Sequence, residues 1–472
     1  MSTGGDLSAH GLGGVQDLPI SLNLAIGGAV AALLVSFTVL AVAWRRPRYD
    51  ARRGGRAVPG VQRLVEHPAF VIGLRVVGMV VFLYTVFVSV FGVDKVLNPF
   101  FGIFYVWLWV GIVPMSLLFG PFWKAISPVR TINLLFARLA GTDPDEGVRA
   151  YPARLGYWPA ALGLYAFVWL ELVYPFMSEL SPVRLWCAIY VAVMLLGGAV
   201  WGSGFYERAD PFEVYSTLVG RLSIWGYRDD GTLVVRSPLA NLDGVVVAPG
   251  LVGVVGVLFG STGFDSFGES PTWVRYLQGS SVNGYLLNNI ALAVFCLGAI
   301  ALFSLACMLT GVAGASGPEP VPEPDPDSDA EQRDDVRSRR TPRWLAARAG
   351  LPNAFAHSIV PIVVGYIVAH YLTYFIEVGS NTIALASDPL SNGSNILGTA
   401  DFPRIAWLSY HPTLLANLKV GAVVVGHVVA AVASHDRALK LLPRRHQLLG
   451  QLPLLIVMVG FTGGGLLLLF SS

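Results

Sequence analysis

The sequence predicts an all-α integral membrane protein, a polytopic helical bundle of about ten transmembrane helices with both ends on the non-cytoplasmic side. Three observations predict it: charge is scarce, ten apolar windows reach spanning length, and basic residues alternate between successive connecting segments.

Composition comes first. The chain of 472 residues is 54% hydrophobic and 13% charged, with a mean hydropathy of +0.60. A soluble domain carries about 25% charged residues, so lipid must be the solvent for much of this surface. A formal net charge of only +2 gives no footprint for a nucleic acid or other polyanionic partner. Cys187, Cys296 and Cys307 lie in apolar stretches without CxxC spacing and read as small core residues.

The first 21 residues hold no Lys or Arg and include Asp6 and Asp17. A secretory signal starts with a positive segment. Here the apolar run from Leu22 to Trp44 instead ends in Arg45-Arg46-Pro47-Arg48, the charge order of an uncleaved first helix with its N-terminus outside. A helix needs about 20 apolar residues to cross the hydrocarbon core. The windows that qualify are 22–44, 69–92, 100–122, 157–179, 183–204, 246–267, 285–312, 354–377, 412–435 and 450–470. The sixth, rich in Gly and Val, is the least apolar and could be a broken helix.

With the N-terminus outside, the inside segments 45–68, 123–156, 205–245, 313–353 and 436–449 hold 7, 5, 4, 6 and 4 basic residues. The outside segments hold only Lys95, Arg184, Arg275 and Arg404, while Arg75 and Lys419 fall within spans. An error in the count would mix the two classes after the error, so the positive-inside rule supports number and orientation together, in a cytoplasmic (inner) membrane. Trp44, Trp123, Trp158, Trp201, Trp273 and Trp407 fall near the proposed interfaces, where an indole keeps its N–H hydrated.

Between spans, segment 205–245 carries the most pattern. Asp210 followed by Pro211 reads as an N-cap with proline at the first helical position. Phe212, Tyr215, Leu218, Val219 and Leu222 then recur at helical spacing, which predicts a short amphipathic helix along the cytoplasmic interface. Val129 to Leu139 reads similarly, and Thr232–Val235 reads as a short strand after the Asp229-Asp230-Gly231 turn. Residues from Pro318 to Asp335 are Pro- and acid-rich and predict a disordered linker. The chain thus divides into a seven-helix region (1–312), a linker (313–350) and a three-helix, His-rich region (351–472).

Ionisable groups inside a span are costly and mark function by default. Those present are Glu171, Asp265, His370, Lys419 and His427, with His357, His435 and Glu377 near span ends. Six of the eight histidines follow residue 350. Imidazole ligates divalent metals and haem, so His357, His370, His427 and His435 are candidate metal ligands, with Asp265 and Glu171 as base or orienting group. His370 lies 13 residues above His357 and His427 lies 8 above His435, or roughly 20 and 12 Å at the helical rise. Shared ligation by the inner pair is therefore allowed but not required. The plainer alternative is that each imidazole hydrogen-bonds a backbone carbonyl, that Glu171 and Asp265 are paired or water-facing, and that Lys419 snorkels to the outer interface. No GxxxxGK[ST], HExxH or GxSxG occurs; Gly197-Gly198 and Gly463-Gly464-Gly465 suit close helix approach.

Several segments together resemble one known family. They are Gly120-Pro121-Phe122-Trp123 with Ser127-Pro128-Val129-Arg130-Thr131; Ala209-Asp210-Pro211-Phe212-Glu213-Val214-Tyr215; Gly260-Ser261-Thr262-Gly263-Phe264-Asp265; Ala356-His357-Ser358 through Ala369-His370-Tyr371; Gly426-His427 through His435-Asp436-Arg437-Ala438-Leu439; and Gln451-Leu452-Pro453. Spread from about residue 100 to the end, they resemble the actinobacterial fenitrothion hydrolases, an organophosphate hydrolase-like integral membrane family. The resemblance implies a membrane-bound phosphotriester hydrolase and assigns no catalytic residue.

Three functions follow as expectations. The first is a metal-dependent hydrolase of organophosphate triesters, with a divalent ion activating water. The second is a transporter or accessory subunit acting on a small molecule through its buried His, Asp and Glu. The third is a haem-binding electron carrier with paired histidines.

Overall fold

The structure, a computed structural model, describes residues 18, 20–52, 54–310, 348–443 and 447–471. The linker expected at 318–335 lies outside the described residues. What is described is a helical bundle with one small sheet.

The longer helices are α1 (Leu22–Ala43), α2 (Pro68–Phe91), a broken α3 (Pro99–Val110 and Ile112–Phe119), α4 (Pro128–Ala140), α5 (Trp158–Leu172) and α6 (Leu180–Trp201). They continue with α7 (Pro211–Gly220), α8 (Pro238–Asp243), α9 (Leu251–Gly268), α10 (Gly284–Thr310), α11 (Val360–Leu385), α12 (Pro412–Leu441) and α13 (Leu452–Ser471). Among the described residues eight helices are long and apolar enough to cross a membrane, or nine if the two pieces of α3, bent by 43°, form one span. Each of the ten expected windows overlaps a helix. The helix in the fourth window, α5, has only 15 residues. Pro175 disfavours helical geometry in Tyr174 before it, so the helix stops short of the 20 or so residues that spanning requires.

Burial sorts these helices into centre and rim. The apolar windows of α9 and of α11 with its lead-in turn are 78% buried inside the protein, against 11% for α2 and 22% for α1 and α6. Lipid-facing helices must be apolar outward, whereas a helix enclosed by protein can be built from small and polar residues. That is why α9, with four glycines in its first thirteen residues, has the least apolar window. Its start shifts to Leu251 because Gly250 takes a left-handed turn, at φ +83, after Pro249.

Close approach substitutes for hydrophobic attraction, which lipid does not supply between helices. A Cβ on Gly426 of α12 would lie 2.6 Å from the Pro361 carbonyl oxygen of α11, and Gly365 of α11 faces the Ala422 backbone in the same crossing. A Cβ on Gly260 of α9 would stand 2.6 Å from the Cα of Cys296 on α10.

The segments rich in basic residues meet one another at one end of the bundle. Arg56–Ala57 (β1), Trp225–Tyr227 (β2) and Leu233–Val235 (β3) form an antiparallel sheet in the order β1-β3-β2, which joins the first and third of these loops. Asp436 accepts from Trp44 Nε1 at 3.2 Å and from the Arg48 backbone at 2.6 Å, and Lys440 reaches Asp243 at 2.7 Å. At the opposite end, the segment 386–411 folds as a strap. Glu377 of α11 accepts from Arg404 at 2.9 Å and from the Ser409 hydroxyl, and the Ile405 amide donates to Ser380 at 2.9 Å.

One expectation changes. The helix expected to lie along the interface, α7, has nine of its ten residues buried. Its Phe212 packs on Phe167 of α5 and on Trp186 and Tyr190 of α6, and its Tyr215 on Trp109 of α3. The N-cap reading holds, since Asp210 accepts from the Phe212 amide at 3.0 Å. Tyr190 and Trp123 also donate to this carboxylate, so the cap has partners inside the bundle and no need of water. Apolar spacing alone cannot distinguish a helix lying on a bundle from one inserted into it.

Replacing Gly426 with Leu is expected to force α11 and α12 apart and to destabilise by about 1–3 kcal/mol. The same change at Gly460, where a Cβ would meet nothing within 4 Å, is expected to be neutral. Thermal unfolding of the two variants in detergent checks the difference.

Candidate functional site

The polar groups of the bundle centre come from the two most enclosed helices. On α11, Tyr366, His370, Tyr374 and Glu377 recur three or four residues apart and so share a face. On α9, Asp265 and Ser266 lie in the last turn and are both buried. Where these meet, His370 Nε2 stands 2.9 Å from Asp265 Oδ2, and Tyr371 Oη donates to that same oxygen at 2.5 Å. The other ring nitrogen, His370 Nδ1, is 3.3 Å from Ser266 Oγ, which is 3.0 Å from Tyr366 Oη. Tyr366 Oη in turn donates to the Gly465 carbonyl of α13 at 3.3 Å. The result is a buried row of polar groups running across α9, α11 and α13, in which His370 Nε2 stands close to Asp265 without an aligned hydrogen bond.

Glu171, next to last in α5, sits beside this row. It is buried, and neither carboxylate oxygen has a hydrogen-bond partner among the described residues. Its electrostatic neighbours are Asp265 and the phenols of Tyr105, Tyr215, Tyr371 and Tyr374. Two hydroxyls on neighbouring helices, Tyr215 Oη and Thr373 Oγ1, are likewise buried without partners. Nearly all buried polar groups in proteins find a partner, so Glu171 and Tyr215 stand out among the described residues. Lys419 does not snorkel. It is 1% exposed, and its charge bears on Glu269 at the end of α9, which also feels Asp265 and His370.

The remaining histidines have partners of their own. His357 Nδ1 lies 3.2 Å from the Ala354 carbonyl, and the ring also bonds the backbone of Ala433. His427 Nδ1 lies 2.8 Å from the Val423 carbonyl one turn earlier. His435 bridges Gln451 Oε1 at 3.1 Å and the Trp44 carbonyl at 2.9 Å, stitching the ends of α1 and α13 to α12. His357, His370, His427 and His435 are thus not assembled into one donor set, and among the described residues no group of three or more His, Cys, Asp or Glu is placed to hold a metal ion. Each of the four imidazoles thus has a protein partner on at least one ring nitrogen.

Of the residues singled out in the sequence, the structure brings together Glu171, Asp265 and His370. Tyr105, Tyr215, Ser266, Glu269, Tyr366, Tyr371 and Tyr374 were not read from the sequence as site residues. The signal that finds some of them is the polar stripe Tyr366, His370, Tyr374, Glu377 along an otherwise apolar helix. Comparison with family models, curated proteins and solved structures finds no match to this chain.

Changing His357, His427 or His435 singly to Ala is expected to leave the metal content of the purified protein unchanged, as measured by mass spectrometry. A stoichiometric ion lost from any one of these variants would overturn the separation of their roles.

Proposed function

We propose that the protein is a proton-coupled membrane transporter, or the proton-handling subunit of one, in the cytoplasmic membrane with its basic end toward the cytoplasm. The observation that carries this reading is the contact of His370 Nε2 with Asp265 Oδ2 at 2.9 Å, buried where the two most enclosed helices cross. Intramembrane Asp, Glu and His arranged in chains are the groups from which proton relays are built. Here a carboxylate, an imidazole and two hydroxyls follow one another from Asp265 through His370 and Ser266 to Tyr366. Each can accept a proton on one side and release one on the other. The orientation follows the excess of Lys and Arg in the segments gathered at that end.

Proteoliposomes holding the protein and a trapped pH dye are expected to relax an imposed pH gradient faster than empty liposomes. Asp265→Asn, which keeps shape and removes the ionisable oxygen, is expected to slow that relaxation at least about tenfold, or about 1.4 kcal/mol on the barrier. Unchanged relaxation in this variant would remove the proposed relay.

One observation favours a second reading, a phosphotriester hydrolase of the kind that the fenitrothion hydrolase resemblance implies. A hydroxyl, a base and an orienting carboxylate follow in order: Ser266 Oγ is 3.3 Å from His370 Nδ1, and His370 Nε2 is 2.9 Å from Asp265. That is the arrangement of an activated nucleophile. Ser266 Oγ would attack phosphorus and pass its proton to His370, with the aryloxide leaving. On this reading a fluorophosphonate probe is expected to label the native protein covalently and to leave Ser266→Ala unlabelled, as intact-mass measurement would reveal.

A further inference from the structure

The strap 386–411 joins the end of α11 to the start of α12, opposite the basic segments, and has no part in the proposed relay. We propose that it is a lipid-binding surface, seated among the headgroups of the leaflet it adjoins and covered by phospholipid where its apolar side chains point outward. The inference rests on the membrane-spanning bundle and is independent of the transport reading.

The side chains give the first half of the case. Ile396 and Leu397 are 60 and 59% exposed, Trp407 is 58% and Tyr410 is 81%, and Phe402 and Ile405 are exposed as well. The strap carries only three residues of Asp, Glu, Lys or Arg, namely Asp388, Asp401 and Arg404. Arg404 is held by Glu377 of α11 at 2.9 Å. Asp388 is turned onto its own loop, where it accepts from the Asn392 and Gly393 amides at 3.0 and 2.9 Å.

The backbone decides what covers these side chains. A loop in water can leave its amides to the solvent, whereas lipid offers no hydrogen-bond partner and the segment must supply its own. Here the outward apolar residues have their amides bound inside the protein. The Ile396 amide donates to the Ser387 carbonyl at 2.9 Å and the Leu397 amide to the Ser387 hydroxyl at 3.0 Å. The Phe402 amide donates to the Thr399 carbonyl at 2.9 Å, and the Ile405 amide to the Ser380 hydroxyl of α11 at 2.9 Å. Between them the Thr399 hydroxyl donates to the Ile383 carbonyl of α11 at 2.8 Å. Polar groups inward and apolar groups outward is the reverse of a loop built for water.

Position points the same way. Leu414 and Leu418 of α12, 40 and 43% exposed, continue the apolar face from the strap onto the span. The patch is thus continuous with the lipid-facing wall of the bundle, which selects phospholipid over a soluble partner. Trp407 and Tyr410 precede Pro412, the first residue of α12, at the level where indole and phenol rings settle in a bilayer. The turn around Asn392 is different in kind, since Ser391, Asn392 and Gly393 are exposed and polar or small, and it is expected to project into water.

The test uses the full-length protein in phosphatidylcholine nanodiscs, with a nitrobenzoxadiazole label on Leu397→Cys, Tyr410→Cys or Asn392→Cys in turn. All three side chains are exposed, and the wild type, carrying Cys187, Cys296 and Cys307, sets the labelling background. A spin label high on the lipid acyl chain is expected to quench positions 397 and 410 at least about twofold, with iodide leaving them unchanged. Position 392 is expected to show the reverse. Tyr410→Cys serves if Leu397→Cys does not fold. Iodide quenching at 397 and 410 equal to that at 392 overturns the proposal. Protection of 397 and 410 from both quenchers also overturns it, because a second copy or another protein would then cover the strap.

Discussion

The contact between Asp265 and His370 is the constraint around which the rest of the bundle is arranged. Placing a carboxylate and an imidazole in an apolar interior costs several kcal/mol per uncompensated charge. Tyr371 donates to Asp265, Ser266 lies against His370, and Tyr366 passes the connection on to the Gly465 carbonyl. These contacts join α9, α11 and α13. The glycine contacts at Gly260 and at Gly365 with Gly426 are their packing counterpart, since they hold α10 and α12 against the central pair.

Around this pair the bundle departs from a set of straight spans, and each departure serves the polar interior. α5 stops early and leaves Glu171 in its last turn. The first piece of α3 is π-helical from Gly102 to Val110, a wider coil that recurs at functional sites. Within it Trp107 Nε1 donates to the Gly379 carbonyl of α11 at 3.1 Å, and Gly102 admits Thr382 of the same helix against its backbone. α7 enters from the basic end, with its N-cap and the Arg130–Glu213 ion pair satisfied inside the protein. Irregular backbone at this depth is tolerated where protein surrounds it.

Much of this architecture was legible in the sequence. Apolar windows placed a helix at every expected span, because lipid imposes length and composition on any segment that faces it. Asp265, Glu171 and His370 stood out for the same reason, as costly groups in apolar surroundings. The sequence was silent where protein replaces lipid as the neighbour. Phe212, Tyr215 and Leu218 have the same spacing whether they cover a surface or fill a core, so the insertion of α7 could not be read. Lys419 has the profile of a snorkelling lysine until the structure encloses it beside Glu269. Four histidines in one region suggested a shared ligand set, but a helix spacing says nothing about which carbonyl an imidazole finds first. His427 meets the Val423 carbonyl of its own helix.

The strap 386–411 hangs from the same helix as His370. Glu377, which holds Arg404 and Ser409, lies two turns beyond His370 on a shared face of α11. That helix therefore cannot turn about its own axis like a free spindle: any torque that swings the imidazole away from Asp265 also pulls on the cover over the far end. Core and strap are thereby joined through one helix.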